Sequence, residues 1–188
     1  ELLAAGDGEE ALLAAKKVEA ADVATALRRE RYGLALVLAV GDLAGAFDLD
    51  KVMRELSTLA DRALHSAIDA AIERRVPDAQ PAGMIGLALG KHGAGELNYS
   101  SDIDPILIYD PETLPRRERD EPGEAAQRYA REVVRLLSEV TSEGYVFRVD
   151  LRLRPASEVS PLAIPLDAAI THYESSALAW ERAAYIRA

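Results

Sequence analysis

The sequence predicts an α+β protein, a mixed sheet with flanking helices preceded by an N-terminal helical segment. Three observations carry this. Apolar residues recur every three or four positions from Glu9 to Arg75; beyond Pro77 the period shortens to that of strands; and a glycine-rich loop, Gly90 to Gly95, leads into Asp102-Ile103-Asp104 at the start of an apolar run. The division is placed at residue 77, with 1–76 as the helical segment and 77–188 as the domain that carries the chemistry.

Three helices are expected before Pro77. The first runs from about Glu9 to Glu19 after a Gly6-Asp7-Gly8 turn, and the second from about Asp22 to Val40, with Gly33 a tolerated weak point. Asp48 suits the N-cap of the third, Asp50 its first turn, and Leu56, Leu59, Ala60, Ala63, Ala67 and Ile72 belong to its apolar stripe, which ends near Arg74.

Met84–Leu89 and Ile103–Tyr109 read as strands flanking the glycine-rich loop. Residues 110–123 hold Pro111, Pro115, Pro122 and many charges, the composition of an exposed loop. A helix over Glu124–Ser142 buries Ala126, Tyr129, Val133 and Leu137. Tyr145–Leu153 is the clearest strand by pattern, since Phe147, Val149, Leu151 and Leu153 alternate with Arg148, Asp150, Arg152 and Arg154, and Pro155 stops it. A loop over Ser157–Leu166, with room for a short strand, precedes a helical pattern over Asp167–Ala188, in which Trp180 reads as a packing residue and Glu181 with Arg182 as an ion pair.

Composition removes several function classes. A chain of 188 residues, 49% of them hydrophobic, is long enough for one well-buried core. A net charge of -10 argues against general binding to nucleic-acid backbones, which needs clustered Lys and Arg. No apolar run reaches the roughly 18 residues of a membrane span. Cysteine is absent, which excludes disulfides, thiolate zinc sites and cysteine nucleophiles and agrees with a cytoplasmic setting. The chain opens at Glu1 without a signal peptide and closes within a helical pattern, so it reads as a fragment.

The chemistry centres on acids. Strand side chains alternate faces, so Asp102 and Asp104 project to one side, close enough to share divalent cations such as Mg2+, which takes hard oxygen ligands together with substrate phosphates. Asp150 is the third acid, and three carboxylates suit a two-metal site in which both ions stabilise phosphoryl transfer. Arg148, Arg152 and Arg154 offer planar forks for phosphate oxygens. Backbone N–H groups at Gly90 and Lys91, with Ser101 nearby, complete a phosphate cradle. Plainer readings use the same residues: an Asp-x-Asp that only caps a turn, and a solvated sheet face with Asp–Arg pairs. Gly86 to Lys91 fails as a Walker loop, because three residues separate its glycines and His92 stands where Ser or Thr belongs. His92 reads as a hydrogen-bonded bystander, and His65 and His172 as weaker candidates still.

These residues resemble the nucleotidyltransferase superfamily that includes DNA polymerase beta. Leu89-Gly90-Lys91 through Asp102-Ile103-Asp104, Phe147-Arg148-Val149-Asp150 through Pro155, Trp180-Glu181-Arg182-Ala183 and Ile186-Arg187-Ala188 narrow the resemblance to the bifunctional glutamine synthetase adenylyltransferase/adenylyl-removing enzymes, as does Glu55-Leu56-Ser57-Thr58-Leu59-Ala60-Asp61 in the helical segment. Phe147-Arg148-Val149-Asp150 and Trp180-Glu181-Arg182-Ala183 look like the N-terminal, adenylyl-removing half of that family.

The resemblance implies a polymerase-beta-like nucleotidyltransferase fold and a magnesium-dependent, cytoplasmic transferase that binds ATP or ADP. It implies catalysis and metal binding by Asp102, Asp104 and Asp150, and phosphate binding by Gly90, Lys91, Ser101, Arg148, Arg152 and Arg154. The reaction implied is phosphorolysis: inorganic phosphate attacks the adenylyl-tyrosine of glutamine synthetase and releases ADP. Alternatives are adenylylation of that tyrosine with ATP, and a catalytically silent module that binds nucleotide or a signalling protein. Control by a PII-type nitrogen-signalling protein is implied for the longer enzyme. Pro105 and His92 depart from the family's usual apolar residues, and Pro105 suggests an edge strand or a bulge.

Overall fold

Aspartates open the first three helices. The carboxylates of Asp7, Asp22 and Asp48 accept the backbone N–H groups of Glu10, Thr25 and Lys51 at 3.1, 2.9 and 2.7 Å, satisfying donors that the first turn leaves free. The helices are α1 (Gly8–Lys16), α2 (Val23–Leu43) and α3 (Leu49–Arg75). The computed structural model describes residues 7–185; Gly6 of the opening turn and the Ile186-Arg187-Ala188 motif lie outside them.

α1 ends at Lys16 rather than Glu19, because the chain leaves helical geometry at Lys17 to reach the extended backbone of Asp22. α2 runs three residues past Val40, and its end is shaped by one contact. A Cβ on Gly41 would lie 2.1 Å from Phe47 Cδ2, so only glycine lets the Phe47 ring fold against the helix. α3, about 40 Å long at 1.5 Å per residue, buries Leu56, Leu59, Ala60, Ala63, Ala67 and Ile72 as its stripe foretells. It packs on α2, on α5 (Pro122–Ser138) and on the first strand.

The sheet has three strands, β1 (Met84–Leu89), β2 (Asp104–Tyr109) and β3 (Ala163–Pro165), in the order β1-β2-β3. β1 runs antiparallel to β2, from Met84 opposite Tyr109 to Leu89 opposite Asp104, and β3 runs parallel to β2 from Leu107 opposite Ala163. A short helical turn, α4 (Gly90–Gly93), follows β1. β2 is buried on both faces: Leu107 and Tyr109 join the main core with α3 and α5, while Ile106 and Ile108 join Leu89, Ile164 and Ala169 on the other. The main core also takes in Leu12, Leu34 and Leu38, so it continues across residue 77 without a break.

Pro105 lies neither on an edge strand nor in a bulge. It pairs with Ala88 in the central strand. On the parallel side it falls between the Ile103–Val149 bridge and the first β3 rung at Leu107, so the missing donor sits where no parallel partner exists.

Other expectations are corrected as well. Tyr145–Leu153 is not a strand: among the described residues its one pairing beside the sheet is the parallel bridge of Val149 to Ile103. Beyond it the Asp150 carboxylate accepts the Arg152 N–H at 2.9 Å and the chain turns, so the alternation reflects burial beside β2 rather than a ladder. The expected loop is present over residues 110–121 and mostly exposed, with three anchors: Leu114 is buried, Tyr129 Oη donates to the Pro115 carbonyl at 2.7 Å and Arg75 Nε donates to Asp120 at 3.0 Å. α5 stops at Ser138, four residues before Ser142, since Glu139 is extended and a Thr141–Gly144 turn follows.

The C-terminal helical pattern is also broken. α6 (Leu166–Thr171) continues into a π-helical turn over His172–Ser176, and Ala177 is extended before α7 (Ala179–Tyr185). Trp180 is 53% exposed rather than packed. Glu181 is buried and pairs with His172 Nε2 at 3.0 Å, leaving Arg182 to donate to the Ala177 carbonyl at 3.3 Å.

Candidate active site

β1 delivers the glycine-rich turn and β2 starts at the acids, so the antiparallel register places Gly90 beside Asp104. Gly90 has φ +59, and a Cβ there would lie 3.0 Å from Asp104 Oδ2. Glycine thus permits the turn and leaves room beside the carboxylate. The loop is then pinned inward, with Glu96 N–H on the Lys91 carbonyl at 2.8 Å and the N–H of buried Leu97 on Ser57 Oγ at 3.3 Å. Asn98 shapes the approach to the acids. Its Oδ1 accepts from the Ser100 N–H and from Ser101 Oγ, both at 3.0 Å, and its own N–H donates back to Ser101 Oγ at 3.0 Å.

Asp150 reaches the pair through one rung. Ile103 N–H donates to the Arg148 carbonyl at 3.0 Å and Asp150 N–H to the Ile103 carbonyl at 2.9 Å, which sets Asp150 against the residue between Asp102 and Asp104. Burial, followed by the charges of Asp150 and Asp102, holds the Asp104 carboxyl above the ordinary aspartate range. Hydrogen bonds from Arg152 hold Asp150 below it.

Two guanidinium groups face these acids. Arg148 contacts Asp102 through Nε at 3.1 Å and more closely through Nη2, which also donates to the Ser100 carbonyl at 2.6 Å, while its Nη1 donates to Tyr145 Oη at 3.1 Å. Arg152 grips Asp150 through Nε and Nη2, and its pKa is raised first by that bond and further by Asp104 and Asp102. Its side chain is 86% exposed.

The other expected residues divide. Lys91 is exposed and makes no ion pair among the described residues. Ser101 Oγ is engaged within the Asn98 turn. Arg154 is turned away from the acids and donates to the carbonyls of Leu151, Ser157, Ser160 and Pro161 at 2.6, 2.6, 3.2 and 3.1 Å, which organises the loop after the site. His92 is buried with Nε2 2.9 Å from Asp61 Oδ1, and burial depresses its pKa.

Arg31 is the residue that sequence reasoning missed. From α2 it donates to the Tyr99 carbonyl at 2.8 Å and the Val146 carbonyl at 2.9 Å, and it lies over the Phe147 ring at 4.7 Å. Burial depresses its pKa. It clamps the loop before Asp102 to the segment that carries Asp150. No local pattern marks it, since one arginine among several on α2 looks like any other.

These residues meet part of what a divalent cation requires. The donor set is all carboxylate oxygen, the acids act on Asp104 electrostatically, and the Gly90 gap adjoins its Oδ2, all of which suits magnesium. Yet among the described residues no three such side chains are gathered as ligands, because Asp102 and Asp150 are turned to their arginines. The chemistry fits a metal; the arrangement is that of the arginine-paired acids.

Comparison with known proteins places the chain. The sequence model of the glutamate-ammonia ligase adenylyltransferase family matches residues 4–188. Among curated proteins, the bifunctional glutamine synthetase adenylyltransferase/adenylyl-removing enzyme of Caulobacter vibrioides is 46% identical over 199 aligned positions, covering 97% of this chain and 20% of the relative. Those of Xanthobacter autotrophicus and Rhizobium meliloti are 45% and 41% identical, each covering 89% of this chain and 18% of the relative. The chain therefore spans about a fifth of the length of these relatives.

Proposed function

From a chain that belongs to the glutamate-ammonia ligase adenylyltransferase family, we propose that the reaction carried here is removal of the adenylyl group from a tyrosine of glutamine synthetase by phosphorolysis. The observation that carries the reading is the approach of Asp150 to the Asp102–Asp104 pair through the single Ile103 rung. The direction rests on Phe147-Arg148-Val149-Asp150 and Trp180-Glu181-Arg182-Ala183, which resemble the adenylyl-removing half. A cytoplasmic setting and control by a PII-type protein belong to the same proposal.

An oxygen of inorganic phosphate attacks the phosphorus of the adenylyl-tyrosine, the bond from phosphorus to the phenolic oxygen breaks, and ADP leaves. The tyrosine oxygen departs as phenolate and takes up a proton, helped by its high affinity for one, with a reference pKa near 10. Magnesium held by Asp102, Asp104 and Asp150 would neutralise charge on the phosphate and the departing oxygen. Lys91 meets the incoming phosphate as an exposed cation at the loop. Arg148 and Arg152 offer their forks to phosphate oxygens once they release the acids. Gly90 leaves the backbone open to close approach.

The test is incubation of adenylylated glutamine synthetase with the chain, inorganic phosphate and magnesium, reading ADP release. The reading predicts release by the wild type and its loss in Asp102→Asn. No release, or undiminished release by the variant, overturns it. AMP transfer from ATP to unmodified glutamine synthetase would assign the opposite direction to the same acids.

A further inference from the structure

Among the described residues Arg28 is a buried cation that makes no hydrogen bond. Its side chain is 6% exposed, its Nε is buried with no partner, and its nearest carboxylate oxygen, Glu139 Oε2, is 3.8 Å away. That oxygen already accepts from Arg135 Nη1 at 2.7 Å. The adjacent Arg29 is satisfied, donating to Glu143 through Nε at 3.0 Å and Nη2 at 2.8 Å. Of two successive arginines the outer makes charge-assisted hydrogen bonds, whereas the inner has a 3.8 Å ion pair with Glu139 and no hydrogen bond among the described residues. A desolvated guanidinium that lacks partners is unfavourable unless an anion completes it.

The space for one is present. A cleft of about 560 Å³ between α2 and the Thr141–Gly144 turn is lined by Arg28, Tyr32, Ser142, Glu143 and Gly144, within the size range of small-ligand sites. A Cβ on Gly144 would meet nothing within 4 Å, so the backbone there is open, and the Tyr32 ring is 72% exposed at the rim. With a net charge of -10 the surface as a whole repels anions, so an anion held here is held by local construction.

We propose that this cleft is an anion-binding site, separate from the acids, that takes a phosphate or carboxylate group on the planar fork of Arg28. The proposal does not depend on the direction or existence of the phosphorolysis reaction. A narrower neighbouring cleft shares Arg28 with Tyr99 and Tyr145, and Tyr145 Oη is a partner of Arg148, so the site adjoins the loops that hold Asp102.

The experiment is an NMR titration of the ¹⁵N-labelled chain with inorganic phosphate and, separately, with succinate. The Arg28 Nε–H and Gly144 amide signals shift and saturate with whichever ion matches the site, and the two arms tell phosphate from carboxylate. Arg28→Gln weakens the Gly144 titration by about tenfold or more, the effect of losing charge-assisted hydrogen bonds. Ser142→Glu, an exposed rim substitution, keeps the fold intact and blocks both titrations by setting its own carboxylate in the cleft. Arg28 signals that move with neither ion in the wild type overturn the proposal. So does a Gly144 titration of wild-type affinity in folded Arg28→Gln or Ser142→Glu.

Discussion

Arg152 holds Asp150 from two residues along the chain, with its Nε 2.9 and 2.7 Å from the two carboxylate oxygens and its backbone N–H 2.9 Å from Oδ1. The side chain doing this is almost wholly exposed. An arginine so placed is a cation that a metal must displace and that water readily receives.

Arg152→Gln is therefore expected to tighten magnesium binding. An exposed ion pair is weak, so the gain in affinity is at most about fivefold. Isothermal titration with magnesium chloride in the absence of nucleotide measures it; unchanged or weaker binding would show that the guanidinium does not compete.

Asp104→Asn separates activity from stability. The Asp104 carboxyl is held high by burial and by the neighbouring acids; the folded state resists its charge, and this penalty applies above the folded-state pKa. It fades as the pH falls toward the ordinary aspartate value of about 3.9. The variant is expected to match or exceed the wild type by a few tenths of a kcal/mol at pH 7, and to lose that advantage in acid. ADP release falls about a hundredfold or more, the scale of a lost metal contribution. Urea unfolding at two pH values and the phosphorolysis assay check both halves.

Buried His92 supplies the opposite linkage. Burial lowers its pKa, so between the folded and unfolded values the unfolded chain binds more protons. Stability therefore falls as the pH drops below about 6.5. In His92→Gln this limb of the stability profile disappears, while any limb due to carboxylates at lower pH remains. Chemical denaturation from pH 7.5 to 5 reads the difference.

Gly41→Ala gains helix propensity and still destabilises. Its Cβ would lie 2.1 Å from Phe47 Cδ2, so the ring must move, at about 1–3 kcal/mol for overpacking. A lowered midpoint of thermal unfolding is expected. Gly41→Ala combined with Phe47→Leu should recover part of the loss.

Legibility followed the range of the interactions. The start of α2, the cap of α3 and the start of β1 depend on residues within a few positions of one another, and Asp22, Asp48 and Met84 mark them in the sequence. Tyr145–Leu153 misled because alternation records which side chains are buried. Pairing is a separate matter, and β2 offers this segment one rung at Ile103 before the Asp150 carboxylate turns the chain. The three acids and Arg148 could be named from spacing and resemblance. The Arg31 clamp could not, because its carbonyl partners lie 68 and 115 residues away.

The interrupted ladder around Pro105 divides the labour among the acids. Asp104 belongs to a strand stitched to β1 along its whole length, whereas the backbone beside Asp150 pairs through the single Val149 bridge to Ile103. The segment bearing Asp150 is held chiefly by side chains, through the Arg31 clamp on Val146 and the bonds of Arg148 to Asp102 and Ser100, while β3 is laced to Leu107 and Ile108 by its backbone. Amide exchange should reveal this as an Asp150 N–H that opens well before that of Ile108. One carboxylate is thus set by backbone pairing, and another by the side chains around it.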